Sequence, residues 1–136
     1  MKYTLTVLLL ICLSLLTSDL LAQNSCQDQV FYRTSSVGNG KESLPFALMF
    51  FIKSDTLRIA NNESSAKASD NVPYLITEKT CSWNTFFTEG KAFYKLSLSD
   101  KGKVMYPTLT VEIKEKKGRI VLQYENSEPR VFEMIL

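Results

Sequence analysis

Cysteines, carboxylates and serines are the reactive side chains to weigh in this chain of 136 residues, which contains no histidine. Losing imidazole removes the commonest general base, the commonest metal ligand and every Ser-His or Cys-His nucleophile pair. A serine would need another activating base. Gly-x-Ser-x-Gly is absent, and Ser64-Ser65-Ala66-Lys67 has Ser-x-x-Lys spacing without its companion motifs, so it reads as coincidence. A glycosidase would need two facing carboxylates. Glu112, Glu115, Glu125, Glu128 and Glu133 lie beside Lys or Arg or at turn ends, and Asp55, Glu63, Asp70 and Glu78 are scattered, which is the distribution of a solvated face. No Asp-x-Asp-x-Asp-Gly calcium loop occurs, and two cysteines without Cys-x-x-Cys spacing do not complete a zinc site. The chain is therefore read as non-enzymatic, with neither metal nor cofactor, and a carboxylate-based hydrolase is the catalytic alternative.

Charge excludes a further class. Sixteen basic and fourteen acidic residues leave a net charge of +2, too even for a nucleic-acid surface, which needs clustered cations. Lys114-Glu115-Lys116-Lys117 with Arg119 is a basic turn of the kind that solvates a hairpin tip.

Binding chemistry concentrates in Cys81-Ser82-Trp83-Asn84 with Phe86 and Phe87, the densest aromatic segment. Trp83, Phe86 and Phe87 beside a disulfide can line a ligand mouth or anchor a partner, although Trp83 packed on the bridge as core is the commoner use of such a residue. Phe50 and Tyr94 join this candidate ligand-binding set. A ligand-holding interior would be a cavity lined by Phe46, Phe50, Tyr94 and Leu96. Two short modification patterns are present: Asn62-Glu63-Ser64 for N-glycosylation and Asp55-Thr56-Leu57, which resembles an Asp-Thr-aliphatic O-glycosylation acceptor.

The elements that must position these residues follow a signal segment. Lys2 supplies a positive start, Leu5 to Leu16 an apolar run, and Thr17 to Ala22 a closing segment with a small residue at the cut. Residues 1–22 thus read as a signal peptide and 23–136 as one mature domain, secreted or periplasmic, with no stable membrane insertion after cleavage. Cleavage removes Cys12, leaving Cys26 and Cys81 to form one disulfide in an oxidising compartment.

The mature chain reads as all-β. Ala92, Tyr94, Leu96 and Leu98 alternate with Phe93, Lys95, Ser97 and Ser99. After the turn Ser99 to Lys103, Leu109, Val111 and Ile113 alternate in the same way. Glu115-Lys116-Lys117-Gly118 forms the next turn, Ile120, Leu122 and Tyr124 mark a third strand, and Arg130 to Leu136 follows Asn126-Ser127-Glu128-Pro129 as a fourth. Short connections make these a C-terminal four-stranded antiparallel meander. Upstream, Gln29 to Thr34, Thr56 to Ala60 and Tyr74 to Lys79 read as strands. Pro45 to Ile52 is apolar on both parities and is read as a strand covered on both faces, with a buried helix as the alternative. Ser35 to Ser43 and Asn61 to Asn71 read as polar loops, the second with a helical turn around Ala66 and Ala68. The total is an antiparallel sandwich or small barrel of about eight strands. An up-and-down barrel would be similar in architecture to lipocalins, which hold one small ligand, but the Gly-x-Trp of that family's first strand is absent and the likeness stops at architecture.

The expected function is accordingly a secreted or periplasmic non-catalytic binding domain for a small apolar molecule, or alternatively a protein-interaction or inhibitor module. Mass spectrometry of the exported protein is expected to give a chain beginning at Gln23 that gains the mass of two hydrogens on reduction. A chain that keeps Met1 to Ala22 contradicts the signal assignment.

Overall fold

The structure is a computed structural model that describes residues 25–67 and 72–136. The predicted signal lies outside the described residues, as do Ala68 and Asp70. Ten strands and one short helix follow in order: β1 (Gln29–Gly38), β2 (Ser43–Pro45), β3 (Met49–Lys53), β4 (Thr56–Ala60), α1 (Glu63–Lys67), β5 (Tyr74–Trp83), β6 (Gly90–Asp100), β7 (Lys103–Met105), β8 (Thr108–Lys114), β9 (Lys117–Gln123) and β10 (Arg130–Ile135).

Alternation in the C-terminal half does what period two requires: Ala92, Tyr94 and Leu96 of β6, Leu109, Val111 and Ile113 of β8, and Ile120 and Leu122 of β9 are all buried. β6, β8, β9 and β10 form the expected meander. The turn after β6 folds as a hairpin, with β7 pairing back on the end of β6 before β8 begins. Between β8 and β9 only Glu115 and Lys116 turn, both with positive φ, as a tight two-residue hairpin demands. Gly118, expected in that turn, is instead a strand residue opposite Ile113. It is needed there because a Cβ would come within 2.9 Å of the Met134 side chain.

Upstream strands depart more from the expectation. β1 continues through Gly38, so half of the polar segment from Ser35 is strand, not loop. A bulge between Thr34 and Ser36 shifts its register and changes which parity faces inward: Tyr32 and Thr34 before it, Val37 after it. Pro45 to Ile52 is not one strand. β2 ends at Pro45 and β3 starts at Met49. The helix alternative is overturned, since Met49 to Ile52 pairs with β1 and β4. Doubly apolar composition has a simple cause here: Phe50 and Ile52 enter the core, while Phe51 stacks on Phe31 at 4.2 Å on the outer face. Lys67 of α1 lies 5.3 Å from the centre of the Phe31 ring. That helix contains Ala66 of the turn expected around Ala66 and Ala68, and Asn62 caps it by accepting from the Ser65 amide at 2.8 Å.

The sheet order is β10-β9-β8-β6-β5-β4-β3-β1, and β10 also pairs with β1. Eight antiparallel strands therefore close into an up-and-down barrel with β2 and β7 as additions, which selects the barrel over the sandwich. Its seam is uneven. β5 and β6 pair at eight positions, whereas β4 and β5 pair at two among the described residues, Thr56 with Leu75 and Leu57 with Tyr74. Cys26, just before β1, is bonded to Cys81 of β5 across a sequence separation of 55. The bridge spans from β1, past β3 and β4, to the far side of the weak seam, and a loop of this length stabilises by roughly 4 kcal/mol in the chain-entropy account.

Gly90 opens β6 at φ 145°, opposite Trp83. A Cβ there would lie 2.3 Å from the Ser82 carbonyl oxygen and 2.7 Å from the indole, so the glycine is what lets Trp83 lie against the backbone. Gly90→Ala is expected to lower unfolding stability by about 3 kcal/mol in denaturant titration. Gly102→Ala, where positive φ is the only objection and nothing lies within 4 Å, should cost about 1 kcal/mol. Equal costs would refute the packing role of Gly90.

Candidate functional site

Strand directions divide the connections between two ends. At one end are the tight turns β3–β4 and β8–β9, the Asn84 to Glu89 loop and the N-terminal segment carrying Cys26. At the other are the longer connections: the β1–β3 arm containing β2, the segment around α1, the β6–β8 excursion containing β7, and Tyr124 to Pro129.

The aromatic candidates do not assemble into one site. Phe50 is 0% and Tyr94 2% exposed, and both, with Trp83 and Leu96, belong to the packed interior. Phe50 meets Phe132 edge-on at 5.0 Å. Phe87 is half-buried against that core, while Phe86 at the tip of the same loop is 82% exposed. Asn84 explains the split. Its Oδ1 accepts from the Thr88 and Glu89 amides, its Nδ2 donates to Thr88 Oγ1, and its carbonyl accepts from Phe87 N–H. This set of bonds turns Phe87 inward at positive φ and leaves Phe86 outside. The expected cavity lined by Phe46, Phe50, Tyr94 and Leu96 is not what forms, because bulky side chains from all sides fill that volume.

Phe46 alone of that group reaches an open groove, and it lies at the end opposite the disulfide. The groove, of about 490 Å³, runs between the β2 arm and the start of β10 and is lined by Val37, Leu44, Phe46, Leu48, Pro129 and Phe132, with Glu128 and Arg130 at its side. Leu44 is 69% and Phe46 50% exposed. Pro45 creates it. The chain leaves the sheet after β2, and Thr34 closes the gap below: its amide and hydroxyl both donate to the Leu48 carbonyl, and its hydroxyl accepts from the Leu48 amide. Those bonds satisfy the one buried polar side chain of the described residues.

A second cleft of about 520 Å³ adjoins the groove, sharing Arg130, and is lined by Lys103, Tyr106, Tyr124, Asn126 and other residues of the β7 and Tyr124 to Ser127 segments. Gln123 Nε2 donates to the Tyr124 and Ser127 carbonyls and holds its floor. Tyr74 and Tyr124 meet hydroxyl to hydroxyl at 2.6 Å. Burial, and then the bond to Tyr124, keep the Tyr74 phenol above its ordinary range, while the charge of Arg130 pulls the other way; either hydroxyl can donate in the pair. None of these groove and cleft residues except Phe46 was singled out for binding in the sequence, since each is an ordinary loop or strand-end residue until the barrel closes.

The carboxylates largely behave as a solvated face. Among the described residues Glu63 pairs with Lys67, Asp55 with Lys79, Glu78 with Lys95 and Glu112 with Arg119, all at the surface. Ser64 and Lys67 of the Ser-x-x-Lys pattern fall in α1, where Lys67 is committed to Glu63 at 2.6 Å. Thr56 of the O-glycosylation pattern donates to the Lys53 carbonyl inside the β3–β4 turn. Comparison with protein-family models, with curated proteins and with solved structures returns no match for this chain.

Inside the barrel, Tyr32 donates to the Tyr94 hydroxyl. Tyr94 in turn sits 3.9 Å from Cys81 Sγ, which has no hydrogen of its own, so the phenol is the donor. Burial is the main cause that raises both phenols above the ordinary value of 10.0. The folded barrel holds these protons where the unfolded chain releases them, so stability is complete below about pH 10 and is lost as pH rises beyond it. Urea midpoints measured between pH 8 and 11.5 are expected to fall steeply above pH 10. Tyr32→Phe should flatten that fall by about 1.4 kcal/mol per pH unit, and an unchanged slope would contradict the burial of the phenol.

Proposed function

We propose that the protein is a non-catalytic binding domain that takes a small apolar molecule into the groove between the β2 arm and β10. The observation that carries this reading is the groove itself: an apolar concavity of about 490 Å³ with Leu44 and Phe46 exposed along its wall. Concavities of roughly 300–1,000 Å³ with apolar walls and a few polar groups are the usual form of small-molecule sites. Export to a secreted or periplasmic compartment belongs to the same reading, supported by the signal-like residues 1–22 and the Cys26–Cys81 bridge.

A protein-interaction module is the second reading. It draws on the filled interior and on the apolar side chains exposed around the same end, Leu44, Phe46, Val72, Val104 and Tyr106.

The two readings separate with N-phenyl-1-naphthylamine, a neutral apolar dye that brightens when it leaves water. The disulfide-intact protein is expected to bind it saturably, and Phe46→Asp to weaken binding on the order of tenfold without changing the circular dichroism, because Phe46 lies outside the packed core. Absence of saturable binding, or binding indifferent to Phe46→Asp, removes the small-molecule reading and leaves the interaction module.

A further inference from the structure

We infer that the ligand is an amphiphile with an anionic head, its apolar part in the groove of Phe46 and its head in the adjoining cleft, where Arg130 reads the charge. This rests on the small-molecule reading above and adds the chemical class. The two concavities differ in character and share one charged wall. Leu44, Phe46 and Phe132 line the first, Lys103 and Tyr124 the second, and Arg130 both. A molecule that fills the first without a polar extension leaves the second to water.

The groups facing the second cleft are chiefly donors. Arg130 and Lys103 take part in none of the ion pairs among the described residues, unlike Lys67, Lys79, Lys95 and Arg119. The Tyr74 and Tyr124 hydroxyls share one bond in which either can donate; with Tyr74 as donor, the Tyr124 hydroxyl keeps its own proton for a ligand. An anion accepting from Arg130, Lys103 and Tyr124 would make charge-assisted bonds, the stronger kind. Glu125 lines this cleft and Glu128 the adjoining groove. Their charges disfavour a bulky polyanion and suit a head carrying one negative charge.

Isothermal titration of the disulfide-intact protein with decanoate, decyltrimethylammonium and decanol holds the chain constant and changes only the head. Decanoate is expected to bind about tenfold more tightly than the other two at low salt, with the advantage shrinking as salt is added. Arg130→Gln is expected to abolish that preference, and Lys103→Gln to reduce it about threefold. Equal affinity for the three heads, or a preference that survives Arg130→Gln, overturns the anionic-head inference and leaves the apolar groove standing. Failure of all three to bind overturns the small-molecule reading with it. Co-sedimentation with phosphatidylglycerol vesicles in the absence of decanoate uptake overturns the inference in favour of a membrane surface. Should Arg130→Gln fail to fold, the wild-type head preference and its reduction in Lys103→Gln still decide.

Discussion

β1 has to serve two sets of neighbours, and the barrel depends on its doing so. Gln29 to Arg33 pairs with β3, and from Arg33 onward the strand pairs with β10, closing the sheet, while its last residues also hold β2. Along the way its inward parity changes, from Tyr32 and Thr34 to Val37. The bulge between Thr34 and Ser36 supplies the extra residue, and Thr34 replaces the missing ladder on the β3 side with its three bonds to Leu48. A matching irregularity between Ile76 and Glu78 in β5 passes the inward parity from Tyr74 and Ile76 to Cys81 and Trp83. Closure, and with it the location of every concavity, follows from these two local departures from period two.

An eight-stranded barrel has an interior just wide enough for side chains to fill it or for one small ligand to enter. Here Phe50, Phe132, Tyr32, Tyr94 and Trp83 fill it. The aromatic content that suggested a ligand cavity is the material that excludes one, and the available volume moves to the rim, between the β2 arm and β10. Binding at such a rim suits a rigid body with variable loops: the walls are set by strands, and only the Leu44 to Leu48 arm has latitude to adjust.

The disulfide and the groove occupy opposite ends. Cys26–Cys81 ties β1 to β5 near the closed end, bridging over the β4–β5 pairing of only two positions. Its sulfur also receives the Tyr94 hydroxyl, which Tyr32 supports. Covalent closure and the indole seated on Gly90 thus gather at one end, while the Thr34–Leu48 bonds and the groove lie at the other. Leu44, Phe46, Val104 and Tyr106 are exposed at the groove end, and Phe86 at the disulfide end.

Period-two alternation over residues 92–98, 109–113 and 120–124 determined the meander without help from tertiary contacts, because one face of each strand meets the core and the other meets water. Cysteine count determined the bridge for the same local reason: once Cys12 is set aside, Cys26 has one partner. What periodicity could not carry were the places where both faces are covered or the register shifts. Pro45 to Ile52 looked uniform because Phe31, Ala60 and Lys67 cover its outer face from other parts of the chain. Ser35 to Gly38 looked like a loop because its strand partners, β10 and β2, lie far off or are too short to see. Phe50, Tyr94 and Trp83 could be recognised as important aromatics, yet whether they line a hollow or fill one depends on what the opposite wall contributes. Arg130, Tyr124 and Leu44 carry no local signal at all. They become neighbours only when the last strand returns to the first, a nonlocal event that residue spacing does not record.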